Sequence, residues 1–170
     1  MSGRPTVTPY AAVIDPLLHP ALQDFTCGGS AHYEREVDEI VDAFRTGHRP
    51  EQLQFVIGRV DGTNKLVGVC AIHERDLPNV SPGALYVGVI SINEEFRGSR
   101  LEDGSRLGDW LLQTSLWHLQ TTWGSIPAIW ALIDRANVPS QELFSRHGFS
   151  EIPNDGYCLM FRPEGLPVAA

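Results

Sequence analysis

Between residues 97 and 109 the chain interleaves three arginines, Arg97, Arg100 and Arg106, with three glycines, Gly98, Gly104 and Gly108. A guanidinium fork matches phosphate oxygens, glycine lets backbone N–H groups come close to an anion, and a helix start adds the positive end of its dipole. An apolar, helix-like stretch follows from about Ser105 to Thr121, so this loop opens onto a helix and offers a seat for a pyrophosphate. Neither GxxxxGKS, GxxxxGKT nor GxGxxG occurs, which leaves the P-loop and dinucleotide readings without their signatures. The segment also repeats itself. Gly98-Ser99-Arg100-Leu101-Glu102-Asp103 is followed at once by Gly104-Ser105-Arg106-Leu107-Gly108-Asp109. A duplication this short lengthens a loop and builds no solenoid, and either copy is placed to touch phosphate.

The elements that must position this loop follow from periodicity. Val7 to Ile14 reads as an edge strand ended by Asp15-Pro16. From Ser30, a suitable N-cap, Tyr33, Val37, Ile40, Val41 and Phe44 recur at helical spacing until Gly47. Leu53 to Val60 and Leu66 to His73 form a predicted antiparallel hairpin around Asp61-Gly62-Thr63-Asn64-Lys65. Leu85 to Asn93 is apolar enough for a central strand, with Gly88 marking a bulge. After the arginine loop, the helix to Thr121 carries Leu112, Leu116 and Leu119 on one stripe and Leu107, Trp110, Leu111 and Trp117 on the other, so both faces are expected to be covered. Ile126 to Ile133 is a strand, Asn137 to His147 a short helix with Pro139 near its start and Gly148 after it, and Tyr157 to Arg162 a last strand. Residues 163–170 read as a frayed tail. The expectation is one domain over residues 1–170, of α/β (α+β) class, with a mixed, mostly antiparallel sheet flanked by helices.

Composition narrows the function classes. At 170 residues, 42% hydrophobic and 20% charged, the chain has the balance of a globular domain large enough for its own core. No apolar run reaches the length of a membrane span, and the first residues lack a secretory signal, so the expectation is a cytoplasmic protein with no membrane association. A formal charge of −8 argues against a nucleic-acid partner, which would be held chiefly by Lys and Arg. Cys27, Cys70 and Cys158 show no paired spacing and read as reduced, buried thiols, with no metal site. The four tryptophans, Trp110, Trp117, Trp123 and Trp130, read mainly as core packing, and Asn137 as an N-cap with room for a second role.

The order of elements, with three local patterns, resembles the GCN5-related N-acetyltransferase superfamily. The patterns are Ile92-Asn93-Glu94-Glu95-Phe96-Arg97-Gly98 at the end of the central strand, Gly104 to Leu112 at the helix start, and Ala131 to Asp134 followed by Asn137 to Phe149. The resemblance implies splayed central strands and acetyl-CoA as the cofactor, held near Ser91, Ile92, Arg97, Gly98, Gly104, Ser105, Arg106, Leu107, Gly108, Asn137 and Phe144. It implies an acyltransferase that moves acetyl directly onto an amine of a small molecule or peptide, with the amide N–H of a bulge at Gly88 polarising the thioester carbonyl. The amine must lose a proton, and Glu74, then His73 and Glu94, are base candidates because they end strands. Phe144 stands where many members carry the Tyr that protonates the departing thiolate, so Ser140 or Tyr157 is considered as its replacement. Arg106 likewise stands where a glycine is usual. Phe25-Thr26-Cys27-Gly28 is similar to the helix entry of toxins that acetylate aminoacyl-tRNA. The rival functions are therefore a toxin of that kind and a non-catalytic acyl-CoA-binding regulatory domain. Members of the superfamily often form homodimers.

Overall fold

The computed structural model describes residues 7–164 apart from 18, 49, 51, 52, 61, 64, 79, 125 and 126. The frayed tail beyond 164, turn residues Asp61 and Asn64, and Ile126 as a strand start lie outside the described residues.

In chain order the elements are β1 (Pro9–Ile14), α1 (His32–Arg45), β2 (Gln54–Val60), β3 (Leu66–Glu74), β4 (Leu85–Ile92), α2 (Leu107–Trp123), β5 (Ile129–Asp134), α3 (Val138–Arg146), β6 (Ser150–Ile152) and β7 (Tyr157–Arg162). They build a seven-stranded sheet in the order β1-β2-β3-β4-β5-β7-β6. All neighbours pair antiparallel except β4 and β5, which are parallel. The mixed, mostly antiparallel sheet is the expected one, and β4 is its central strand. β6 has no counterpart in the sequence reading: three residues are too few to show a period, and only pairing with β7 makes them a strand.

Side-chain alternation divides the core between the two faces of the sheet. Cys70, Ile72, Leu85, Val87, Ile129, Ala131, Ile133, Cys158 and Met160 meet Leu111, Leu112, Leu116 and Leu119 of α2 and Leu143 and Phe144 of α3. On the other face Phe55, Ile57, Val69, Ala71 and Val89 meet Val41 and Phe44 of α1. Each buried Leu, Ile or Phe contributes about 1.5–3 kcal/mol.

The bulge expected at Gly88 is present. Ala71 pairs with Val89 and Ile72 with Val87, which leaves Gly88 as the extra residue in β4. The alternation reverses there: Val87 faces α2, but Val89, two residues on, faces α1. A side chain at Gly68 would come 2.5 Å from the Ser91 carbonyl oxygen, so glycine there allows β3 and β4 to approach closely.

Several boundaries differ from expectation. The N-cap of α1 is Ala31, not Ser30; Ser30 donates its N–H and hydroxyl to Glu34 instead, at 2.7 and 2.6 Å. α2 begins at Leu107 and runs on to Trp123, where Gly124 closes it. Its second face is not covered throughout, since Trp117 is 54% exposed, and Trp123, at the end of the first stripe, is 39% exposed. Trp130 is buried and donates its indole N–H to the Arg75 carbonyl at 2.7 Å. All three cysteines are free and buried, as expected. No helix among the described residues is long and apolar enough to cross a membrane.

Candidate functional site

β4 and β5 stay paired only at Leu85 with Ile129 and Tyr86 with Trp130. Beyond those pairs β5 continues along β7, and the two central strands part. Two adjoining cavities, of about 700 and 510 Å3, lie along the parting and share Tyr33, Val37, Ile90, Asn137 and Ser140.

The larger cavity lies against the start of α2 and is lined by Arg97, Arg100, Arg106 and Arg146. The two copies of the repeat fold differently. Arg100 bridges to Arg106, and Leu101 N–H bonds to the Ser105 carbonyl at 3.0 Å, closing residues 101–105 into a side turn. From the first copy Gly98, Ser99 and Arg100 reach the cavity wall, and from the second Arg106, Leu107, Gly108 and Asp109. Gly104 and Ser105, expected to touch the ligand, line neither cavity, because they form the far strand of that turn.

Three helix starts show why this cavity suits an anion. At α1 the N-cap Ala31 offers no side-chain cap either, but the Glu34 carboxylate already occupies that helix start and accepts from the N–H groups of Ser30 and Ala31 at 2.7 and 2.9 Å; at α3, the Asn137 side chain accepts from Ser140 N–H at 3.2 Å. At α2 the N-cap is Arg106, whose side chain offers no acceptor, so the first-turn N–H groups of Leu107, Gly108 and Asp109 lack a side-chain cap. Ser99 is 5% exposed, and its hydroxyl is buried in the wall without a hydrogen-bond partner. The Asp109 carboxylate, which would repel an anion, is held by Arg146 at 2.9 Å and His147 at 3.1 Å.

Arg97 is already engaged. It pairs with Glu34 at 2.5 Å and donates to the Cys27 carbonyl. Hydrogen bonds from Ser30 and Ala31, with a further one from Arg97, hold the Glu34 carboxyl down at about 2. The Cys27 thiol lies 2.7 Å from the Ser91 hydroxyl, and burial pushes it up to about 11, which keeps it protonated. The Phe25–Gly28 segment thus ties α1 to the arginine loop.

The smaller cavity has the opposite character. Glu36, Glu39 and Asp134 line it together with Tyr33, Tyr86, Tyr157, Phe144 and the bulge residue Gly88, and its described walls contain no Lys, Arg or His. Asp134 is turned to its own loop, accepting from Ala136 N–H at 2.7 Å. The Arg75 guanidinium stacks 4.8 Å from the Tyr86 ring centroid.

Of the expected ligand contacts, Ser91, Ile92, Arg97, Gly98, Arg106, Leu107, Gly108 and Asn137 line the larger cavity. Phe144 lines only the smaller one, where its ring packs edge-on to Phe149 at 4.9 Å. Ser140 lines both cavities, and Tyr157 the smaller. Glu74, the leading base candidate, is exposed and lines neither, because it pairs with Leu85 at the closed end of the parting. His73 lies behind the bulge, with its ring edge-on to Tyr86 at 5.4 Å; burial and Arg75 push its pKa down. The Glu94 carboxylate lies over Gly28, outside both cavities.

Sequence reasoning missed Tyr33, Glu34, Glu36 and Glu39. Glu34 stands three residues after the N-cap, a spacing from which a carboxylate reaches back to the N-cap N–H, here that of Ala31. Tyr33 was absorbed into the apolar stripe of α1, and nothing local distinguishes Glu36 and Glu39 from a solvated face.

No family model matches the sequence, and no curated protein matches it. Solved structures do. A mutant of the AtaT toxin bound to the C-terminus of the antitoxin AtaR is 16% identical with a TM-score of 0.65, over 91% of this chain and 92% of that one. The GNAT-family N-acetyltransferase YhbS from Escherichia coli, in complex with CoA, is 16% identical with a TM-score of 0.59, over 95% and 84%. The KacTA–DNA complex matches at 15% identity and a TM-score of 0.60, over 92% and 93%. At these identities the likeness is one of architecture, and the chain has the fold of GNAT-family acetyltransferases.

Proposed function

We propose that this chain is a single-domain, acetyl-CoA-dependent N-acetyltransferase that moves an acetyl group directly onto an amine of a small molecule or peptide. The observation that carries the reading is the charge division of the continuous cleft: arginines and an uncapped helix start in one half, carboxylates and phenols in the other. The residues of the larger cavity fit a coenzyme A pyrophosphate. The N–H groups of Leu107, Gly108 and Asp109 donate to it, the unpartnered Ser99 hydroxyl supplies a further donor, and Arg100 and Arg106 neutralise its charge. Where β4 leaves β5, the segment from Ile90 to Ile92 offers an unpaired strand edge for the extended arm. Acetyl-CoA, when bound, supplies an activated thioester.

In the smaller cavity Glu36 and Glu39 attract an ammonium group and accept its proton directly or through water, the role that sequence reasoning gave to Glu74. The bulge presents the backbone at Gly88 to the same space. Negative walls disfavour a polyanionic acceptor, which supports an amine over aminoacyl-tRNA.

Thermal unfolding with and without acetyl-CoA tests the reading. Ligand at about 100 times its dissociation constant adds about 2.7 kcal/mol of stability, read as a rise in Tm. No rise at millimolar ligand sinks the proposal.

A further inference from the structure

Acetyl transfer, on the reading above, needs the acyl group to cross from the arginine half of the cleft to the carboxylate half. The departing sulfur is therefore left at the junction of the two cavities. Tyr33, Val37, Ile90, Asn137 and Ser140 are the residues common to both. Three of them carry polar hydrogens. The Asn137 side chain caps α3, and an amide is no acid. Ser140 bears an aliphatic hydroxyl, a far weaker acid than a phenol. Tyr33 bears a phenol at the second position of α1, half-buried, with no hydrogen bond to another described residue. Phe144, across the carboxylate half, has no proton to give. Tyr86 and Tyr157 line the carboxylate half alone. The anchoring of α1 fixes the Tyr33 backbone: the next residue, Glu34, is held by Ser30, Ala31 and Arg97.

We infer that Tyr33 is the catalytic acid that protonates the departing coenzyme A sulfur, an inference that rests on the proposed acetyl transfer. The amine nitrogen forms a bond to the acetyl carbonyl carbon. The C–S bond breaks with its electron pair on sulfur, and the Tyr33 O–H gives its proton to that sulfur. The phenolate is refilled from water that received the proton shed by the nitrogen, so charge and protons balance.

The test needs no knowledge of the acceptor. Coenzyme A is bound to the wild-type protein and to Tyr33→Phe, and the bound thiol is titrated by its ultraviolet thiolate absorbance. A phenol that donates to the sulfur stabilises the thiolate, so the thiol of the wild-type complex ionises about one to two pH units below that of the Tyr33→Phe complex. Ser140→Ala should titrate as wild type. If coenzyme A binds neither protein, the acetyl-transfer reading fails and this inference with it. Equal thiol titration in wild type and Tyr33→Phe, with coenzyme A bound to both, overturns the Tyr33 assignment alone. So does a loss of the shift in Ser140→Ala that Tyr33→Phe does not share.

Discussion

The two halves of the cleft are built in different ways. The largest share of the arginine half comes from one stretch, residues 96–109, where local backbone geometry aims N–H groups and side chains the same way. The carboxylate half is assembled from α1, β4, β5, α3 and β7, and its acidic side chains are ordinary surface residues until the sheet parts beside them. An anion site can be encoded by a loop and a helix start; a site for a varied acceptor is a place where several elements fail to close.

The largest expected effect breaks the anion half alone. Gly108→Glu puts a carboxylate at the uncapped start of α2, where a Cβ meets only Leu143 atoms at 3.8 Å and beyond. The Tm rise with acetyl-CoA should vanish while the unliganded Tm stays close to wild type. Gly104→Asn, on the side turn away from the cavity, should keep the rise. Equal loss in both variants would mean that the turn, not the helix start, holds the ligand.

Arg106→Ala is a smaller perturbation of the same half. Loss of one charge-assisted hydrogen bond should weaken acetyl-CoA roughly 10- to 100-fold by calorimetry. An unchanged affinity would leave the phosphate to the backbone and Ser99.

Glu34→Gln acts on the frame between the halves. Weakening the Glu34 bonds to Ser30 and Ala31 and removing the Arg97 ion pair should cost about 1–2 kcal/mol at neutral pH. Because the folded Glu34 carboxyl is held at about 2, below its ordinary 4.5, its contribution is present above pH 4.5 and is lost as pH falls through 2. The Tm gap between wild type and Glu34→Gln should therefore be full at neutral pH and narrow on acidification. A gap independent of pH would assign the loss to packing.

The smallest effect belongs to the carboxylate half. Glu36→Gln together with Glu39→Gln should leave the acetyl-CoA Tm rise intact and raise KM for diamines about threefold more than for monoamines, since exposed ion pairs are weak. A change in the coenzyme response instead would show that the halves are not separate.

The elements were legible wherever a period could run. The stripe of α1, the hairpin of β2 and β3, the apolar run of β4 and the bulge at Gly88 all follow from residue order. β6 and the exposure of Trp117 did not, since one is too short for a period and the other depends on what packs nearby. Arg106, Leu107, Gly108 and Asn137 were found at the cleft because anion binding and capping are local properties of a chain. Glu74 lies outside the cleft, because the end of a strand says nothing about which end of the parting it occupies.

By itself, the sequence determined the order of strands and helices apart from β6, the loop of glycines and arginines before α2 and the lack of a phenolic proton at Phe144. Tertiary structure decided which copy of the repeat starts the helix, the pairing of Glu34 with Arg97, and the meeting of Tyr33 with both halves of the cleft. The first set depends on neighbours along the chain, whose geometry is set by a few backbone angles. The second depends on where β4 and β5 part, a distance between residues more than 40 positions apart that no local pattern records.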